Sequence, residues 1–340
     1  MSGVTTSGEA RQIVDQAALI VTPAMRAAVD TLDPRMRLIA SYQLGWCDAE
    51  GRPTNAGGKG LRATMAIVSA RAVGSAEDGL PGAVAVELVH NFSLLHDDVM
   101  DRDLERRHRP TGWVTFGDGQ AILAGNAMMT LAFDVLLAAD ENGPKSLACL
   151  TRAVQGLISG QSDDLALEQS PSVDLAACLA MEAGKTAALM ACSSSIGAVC
   201  AGASDAVVQG LSDYGFELGL AFQLVDDILG ITGDPKVTGK SSSSDVRAGK
   251  RSAPVVAALT SGTDAGRRLE VLLADGPPKS ETDVELATRL IGEAGGLDWA
   301  AKEADDRLAR ALAHLDVLAD DSPARADLIT LANFVVERDR

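Results

Sequence analysis

The chain has 340 residues, 46% of them hydrophobic and 23% charged, which is enough apolar side chain for a sizeable core. A net charge of −17 and a pI near 4.6 exclude nucleic acid and anionic membrane surfaces as natural partners, because both would repel such a surface. Five cysteines, odd in number, scattered and set among apolar residues, read as reduced core residues of a cytoplasmic protein rather than as disulfides or metal ligands.

No linker rich in Pro, Gly or Ser divides the chain, and strand-like alternation is rare. Gly and Pro punctuate segments of helical length, so the expectation is one large all-α domain spanning residues 1–340. The first eleven residues lack the basic and apolar regions of a signal peptide. The longest uncharged segment, Thr186 to Ser204, carries Ser193, Ser194 and Ser195, which favours a buried helix over an integral membrane span.

A first helix is expected from about Glu9 to Thr31, stopped by Asp33-Pro34. The turn Asn55-Ala56-Gly57-Gly58-Lys59-Gly60-Leu61-Arg62 leads into an apolar helix, Ala63 to Val73. Lys59 and Arg62, three apart at a helix start, can turn two cations and free backbone N–H groups toward one anion. An apolar run from Ala83 then ends in Leu94-Leu95-His96-Asp97-Asp98-Val99-Met100-Asp101. At about 100° per residue, Asp97 and Asp101 lie one above the other at the end of a greasy helix, with His90 two turns earlier on the same face. Carboxylates there are costly unless paired or metal-bound, and oxygen ligands without His or Cys suit Mg²⁺, which brings substrate phosphates with it. Arg106 and Arg107 follow at once; Arg grips phosphate oxygens in pairs, although ion pairing with Asp103 and Glu105 would also account for them.

Helices are expected next over Gly119–Ala139 and Lys145–Gln169, the latter with Gln161, Asp164 and Glu168 on a polar face that either lines a cavity or meets water. Gly184-Lys185-Thr186-Ala187 is read as the opening of the uncharged helix. A second greasy helix, about Ala206 to Ile231, carries Phe222-Gln223-Leu224-Val225-Asp226-Asp227 and so repeats the paired-aspartate arrangement. One acidic helix end is ordinary; two on separate apolar helices suggest a shared diphosphate held through metal. Beyond it, Lys240 and Lys250 sit in a loop able to fold over an anion.

With these residues assembled, the sequence resembles the trans-isoprenyl diphosphate synthase (polyprenyl synthetase) family, the geranylgeranyl and longer-chain synthases in particular. The resemblance rests on the ordered motifs GGKGLR, HNFSLLHDDVMDRDLERR, GKTA, FQLVDDILG, GDPKVTGK and GKRSAP, from Gly57 to about Pro254. It implies a helical bundle of the isoprenoid synthase type with a central cavity, a homodimer, and about three Mg²⁺ per active site. Carried over residue by residue, Asp97, Asp101 and Asp226 would ligate metal directly, with Asp98 and Asp227 as further or water-mediated ligands. Arg106, Lys185, Thr186, Gln223, Lys240 and Lys250 would bind the allylic diphosphate; Lys59, Arg62, His90 and Arg107 would bind isopentenyl diphosphate. Gly230 stands where the family usually has a third Asp, Gly60 where it has Arg, His108 and Ser243 where it has Gly, and Asn126 where it has Asp.

Phe92, five residues or about 7.5 Å of helix rise before Asp97, is expected to form the floor of the product channel, with the smaller Ser93 beside it leaving room for growth. The product expected is C20, geranylgeranyl diphosphate, with C15 and C25 as neighbours. Two alternatives stand beside this reading. A class I terpene cyclase would use Asn126, Thr130 and Asp134 as its second metal motif, but at 3% aromatic residues the chain has little with which to steer carbocations. An inactive regulatory subunit of a heteromeric synthase would have lost its aspartate clusters, and here both remain.

Overall fold

A computed structural model of the chain describes residues 3–58, 60–139, 141–168, 170, 174–233 and 243–336. It is 78% helical, and the all-α expectation holds. Two compact units partition it: Met1–Val154 with Cys192–Ser212 and Asp316–Thr330, and Gln155–Ala191 with Asp213–Leu315 and Leu331–Arg340.

In the first unit, α1 (Gly3–Val29) starts earlier than expected, and Asp33 turns out to cap the next helix rather than simply end the first. Its Oδ1 accepts the Arg35 N–H at 3.0 Å at the start of α2 (Pro34–Gln43), where Pro34 has no N–H to leave unsatisfied. The helices α3 (Leu61–Arg71) and α4 (Leu80–Met100) pack on one another, and α4 also lies along α6 (Asp118–Leu137), with α5 (Gly112–Phe116) between turns. Small residues set these approaches. A Cβ on Gly112 would overlap Leu95 Cδ1, and one on Gly125 would overlap the His96 ring, whose Nε2 lies 3.0 Å from the Ile122 carbonyl.

The one antiparallel ladder among the described residues is a pair of two-residue strands, β1 (Glu105–Arg106) and β2 (Arg109–Pro110). Its two turn residues, Arg107 and His108, both have left-handed backbone, φ 53° and 58°, the geometry of a tight hairpin turn that Asn and Gly usually fill. The Gly more usual at 108 would sit there without strain.

The helices α7 (Gly143–Glu168) and α10 (Asp205–Thr232) are divided between the units, and the second unit holds residues 155–168 of α7 and 213–232 of α10. The expected helix start at Gly184 is a correction: Ala183–Ala187 forms a π-helical turn inside one continuous run from α8 (Leu175–Glu182) into α9 (Ala188–Cys200). Ala, Gly and Leu there are all compatible with a helix, so the sequence holds no signal for the extra residue. The C-terminal part of this unit packs Ile231, Val246, Val255, Leu269, Val284 and Leu290 into one core.

Among the described residues two helical stretches, Asp118–Leu137 and Leu175–Cys200, are long and apolar enough to cross a membrane by length and composition alone. In the second, Ser193, Ser194 and Ser195 are buried, and the Ser194 hydroxyl faces Met65 Sδ at 3.9 Å.

Candidate active site

The first aspartate cluster closes α4. The Asp101 N–H donates to the Asp97 carbonyl at 2.8 Å and the Asp103 N–H to Asp98 O at 3.1 Å, so the helix ends on its own backbone while its carboxylates project from the last turn. Asp97 is partly buried and Asp101 exposed, but Asp98 is fully buried. Burial pushes the Asp98 carboxyl up, and the Arg106 guanidinium opposes that shift. Arg106 Nε donates to Asp98 Oδ1 at 2.7 Å, leaving Asp98 Oδ2 buried without a partner. Arg106 therefore pairs with aspartate, closely with Asp98 and at 3.8 Å with the Asp103 expected for it.

Around the glycine-rich turn, Arg62 Nη1 lies 3.3 Å from His90 Nε2. Arginine can only donate, so His90 Nε2 is the acceptor and the imidazole proton sits on Nδ1. Burial, with Arg62, Arg107 and Arg106 adding to it, drives the His90 pKa well below its ordinary value. Of the two roles open to it, uncharged or cationic, His90 takes the uncharged one. Gly58 gives Arg107 its room, since a Cβ there would sit 2.7 Å from Arg107 Nη2. Lys59 lies outside the described residues. Phe92 is buried and meets the His96 ring edge-on at 5.3 Å, and Ser93 Oγ donates to the His90 carbonyl at 2.9 Å.

The second cluster is a relay of hydrogen bonds. Thr186 Oγ1 donates to Gln223 Oε1 at 2.9 Å, and Gln223 Nε2 donates to Asp227 Oδ1 at 2.8 Å. The Ala253 N–H donates to Asp227 Oδ2 at 3.1 Å. Two expected residues, Thr186 and Gln223, are thus linked in a row to the Asp227 carboxylate, which is only 2% exposed. Asp226 beside it is partly buried. Lys185, on the π-helical turn, pairs with Asp164 of α7. This closeness depends on glycine: a Cβ on Gly160 would lie 2.5 Å from the Gly184 carbonyl carbon. Burial would lower the Lys250 ammonium, yet Asp227, Asp245, Asp164 and Glu182 together hold it well above its usual value. Lys240 falls outside the described residues, as does the Glu168 side chain.

Four carboxylates escaped the sequence reading or were left open by it. Glu182 is buried beside Asp227, and desolvation together with the neighbouring charge pushes its carboxyl well up. Glu87 lies within the fields of Arg62 and Arg107. Asp164 proves to be the partner of Lys185 rather than a solvated face. The fourth is Asp245. A Cβ on Gly230 would sit 2.6 Å from Asp245 Cγ, so the missing third aspartate is replaced in space by a carboxylate from the short helix Ser244–Ala248. In an acidic chain none of these stands out by residue type; only burial and contact mark them.

Among the described residues no three His, Cys, Asp or Glu side chains converge tightly enough to hold an ion unaided. The oxygen donors of Asp97, Asp98, Asp101, Asp226 and Asp227 are of the kind that suits Mg²⁺, which takes one or two carboxylates and fills its remaining positions with water and phosphate. The orphaned Asp98 Oδ2 and the all-oxygen donor set agree with it. The cyclase motif fares differently: Asn126, Thr130 and Asp134 are exposed on α6, and the Thr130 hydroxyl donates to its own helix at the Asn126 carbonyl, 3.0 Å.

Buried aspartates with Arg, Lys and amide groups beside them, on an almost wholly helical frame, define a protein built to hold anionic ligands. The Polyprenyl synthetase family profile matches residues 50–291. The chain is 46% identical to the (2E,6E)-farnesyl diphosphate synthase of Mycobacterium tuberculosis strain H37Rv over 329 residues, covering 94% of this chain and 90% of that protein. It is 40% identical to the geranylgeranyl diphosphate synthase of the same organism, over 97% of this chain and 94% of the other. The crystal structure of a polyprenyl synthetase from Streptomyces coelicolor A3(2) superposes with a TM-score of 0.92 at 46% identity, covering 96% of this chain and 99% of that one. This chain belongs to the polyprenyl synthetase family and is a prenyltransferase of the trans-isoprenyl diphosphate synthase type.

Proposed function

We propose that the 340-residue chain works as one synthase domain that joins isopentenyl diphosphate head-to-tail to dimethylallyl, geranyl or farnesyl diphosphate, with geranylgeranyl diphosphate (C20) as main product. The observation that carries this is a buried aspartate in each cluster, Asp98 bonded by Arg106 and Asp227 bonded by Gln223 and the Ala253 N–H in the field of Lys250, in a chain of this family. Asp97, Asp101 and Asp226 would hold Mg²⁺ directly, about three ions in all, with Asp98 and Asp227 acting through water. Bound Mg²⁺ supplies the positive charge that stabilises the departing diphosphate.

The protein's own groups do the rest. Arg106, Lys185, Lys240 and Lys250 take charge on the allylic diphosphate, with Thr186 and Gln223 orienting it. Its C–O bond breaks with the electron pair leaving on the diphosphate, and the double bond of isopentenyl diphosphate attacks the allylic carbon. The new C–C bond forms, and a proton passes to the released diphosphate. Lys59, Arg62, Arg107 and the Nδ1–H of neutral His90 hold the second substrate. Phe92 closes the product channel beside Ser93. The exposed Ile122, Leu123 and Leu137 of α6 support a homodimer, and the free cysteines suit the cytoplasm.

Labelled isopentenyl diphosphate supplied with Mg²⁺ and each allylic primer in turn, with the products sized, tests this. Failure to incorporate label with every primer would end the reading. Phe92→Ala should shift products toward longer chains; an unchanged distribution would remove Phe92 as the floor.

A further inference from the structure

Of the five cysteines in the chain, two meet. Cys149 of α7 and Cys192 of α9 bring their sulfurs to 3.8 Å, 43 positions apart in sequence and inside the first unit. The helices that carry them approach closely in each unit: Ser146 Oγ lies 3.3 Å from Cys200 Sγ in the first, and a Cβ on Gly156 would sit 3.0 Å from Ala188 Cβ in the second. The two thiols stand in unlike surroundings. Cys192 is 3% exposed, whereas Cys149 is only partly buried. Ser195 Oγ lies 3.8 Å from the Cys149 sulfur. Hydrogen bonding with Cys192 and Ser195, with the charge of Arg152 added, draws the Cys149 thiol below its ordinary value against the effect of burial. The same contact, together with burial, pushes Cys192 the other way, and burial also pushes Cys47 and Cys178 up. The most readily ionised of these thiols is thus on a residue that solvent partly reaches, with a second sulfur in contact behind it. Neither cysteine is among the groups assigned to metal or diphosphate.

We propose that Cys149 and Cys192 are a reversible oxidation site, at which a hydroperoxide oxidises Cys149 and Cys192 then closes an intramolecular disulfide. The Cys149 thiolate attacks one peroxide oxygen, the O–O bond breaks, and hydroxide or alkoxide leaves with the electron pair. Sulfur loses two electrons and becomes a sulfenic acid. The Cys192 sulfur attacks that sulfur in turn. The S–S bond forms as the Cys192 proton departs with the sulfenic hydroxyl as water, and a dithiol reductant reverses the step by exchange. Reaching an S–S length of about 2.05 Å needs the sulfurs to close by about 1.8 Å, shared between two side chains. Under reducing conditions such a pair rests as two thiols until peroxide arrives, the transient use to which cytosolic disulfides are mostly put.

Reduced full-length protein treated with hydrogen peroxide, then alkylated in denaturant with iodoacetamide and mapped by mass spectrometry, tests the assignment. Loss of two of the five thiols, one linked peptide pair joining residues 149 and 192 on a chain that stays single in a non-reducing gel, and full recovery with dithiothreitol are expected. Cys149→Ser should keep all its remaining thiols. Cys192→Ser, with Cys192→Ala as a second variant at the buried position, should stop at a sulfenic acid on Cys149 that dimedone traps. Retention of all five thiols by the unaltered protein, linkage of any other pair or between chains, sulfinic acid on Cys149 without linkage, or undiminished thiol loss in Cys149→Ser would each overturn the proposal.

Discussion

Gly230 offers the most discriminating test of how the second cluster is built. Replacing it by Ala would add about 1 kcal/mol of helix propensity but force the Asp245 carboxyl to yield, an overpacking cost of about 1–3 kcal/mol, for a net loss between about 0 and 2 kcal/mol. Gly230→Asn adds the same crowding and no charge. Gly230→Asp, which restores the residue more usual in the family, sets a second carboxylate against Asp245. At about 4 Å and an effective dielectric of about 20 that repulsion approaches 4 kcal/mol, reduced by Lys250, whose Nζ lies 4.0 Å from Asp245 Oδ2. In urea unfolding with chelator at pH 8, the Asp variant should therefore be less stable than the Asn variant by a few kcal/mol. The gap should close as pH falls through the carboxylate range, and narrow when Mg²⁺ is added. Equal urea midpoints for the two variants in chelator would refute the placement of Asp245 beside residue 230.

Asp98→Asn should destabilise the fold by about 1–3 kcal/mol in chemical unfolding, because Arg106 keeps an acceptor but loses its counter-charge while reaching partly into solvent, and turnover should fall with it. Glu182 is held above its ordinary pKa by burial and by Asp227, so the stability linked to its proton is complete below about pH 4.3 and drains away as pH rises toward its raised value. Compared with Glu182→Gln, the unaltered protein should lose up to about 1.4 kcal/mol per pH unit across that window; parallel stability–pH curves would count against it. His108→Val places a β-branched residue at φ 58° and should cost about 1–2 kcal/mol, with a rise in KM for isopentenyl diphosphate because Arg107 shares the turn. Thermal unfolding unchanged from the parent protein would argue against the left-handed turn.

The helix carrying Asp97 was legible because its apolar run from Ala83 holds no Gly or Pro, and the one carrying Asp226 because its apolar spacing persists through four glycines with no Pro to stop it. Their cationic partners were legible as residue types but not as pairs: Lys185 finds Asp164, 21 positions away in sequence, through a glycine contact that no local pattern encodes. The hairpin at Arg107-His108 was invisible because neither turn residue is Asn or Gly, and the π-helical turn because Gly184 within Ala-Gly-Lys-Thr-Ala reads as a break between helices. Two departures from the family pattern gain a physical meaning only from the backbone. His108 and Ser243 occupy left-handed positions where Gly is the easier fit, and Gly60, at φ 64°, meets the same demand with no side chain at all.

Burial and the neighbouring arginines keep His90 uncharged, so the imidazole offers Arg62 an acceptor and adds no charge of its own to that cluster. The carboxyl of Glu87, pushed up by burial and drawn back by Arg62 and Arg107, is the group there that can take a proton. Acidification would therefore make this corner of the molecule more cationic by silencing a carboxylate, with the histidine left as it was.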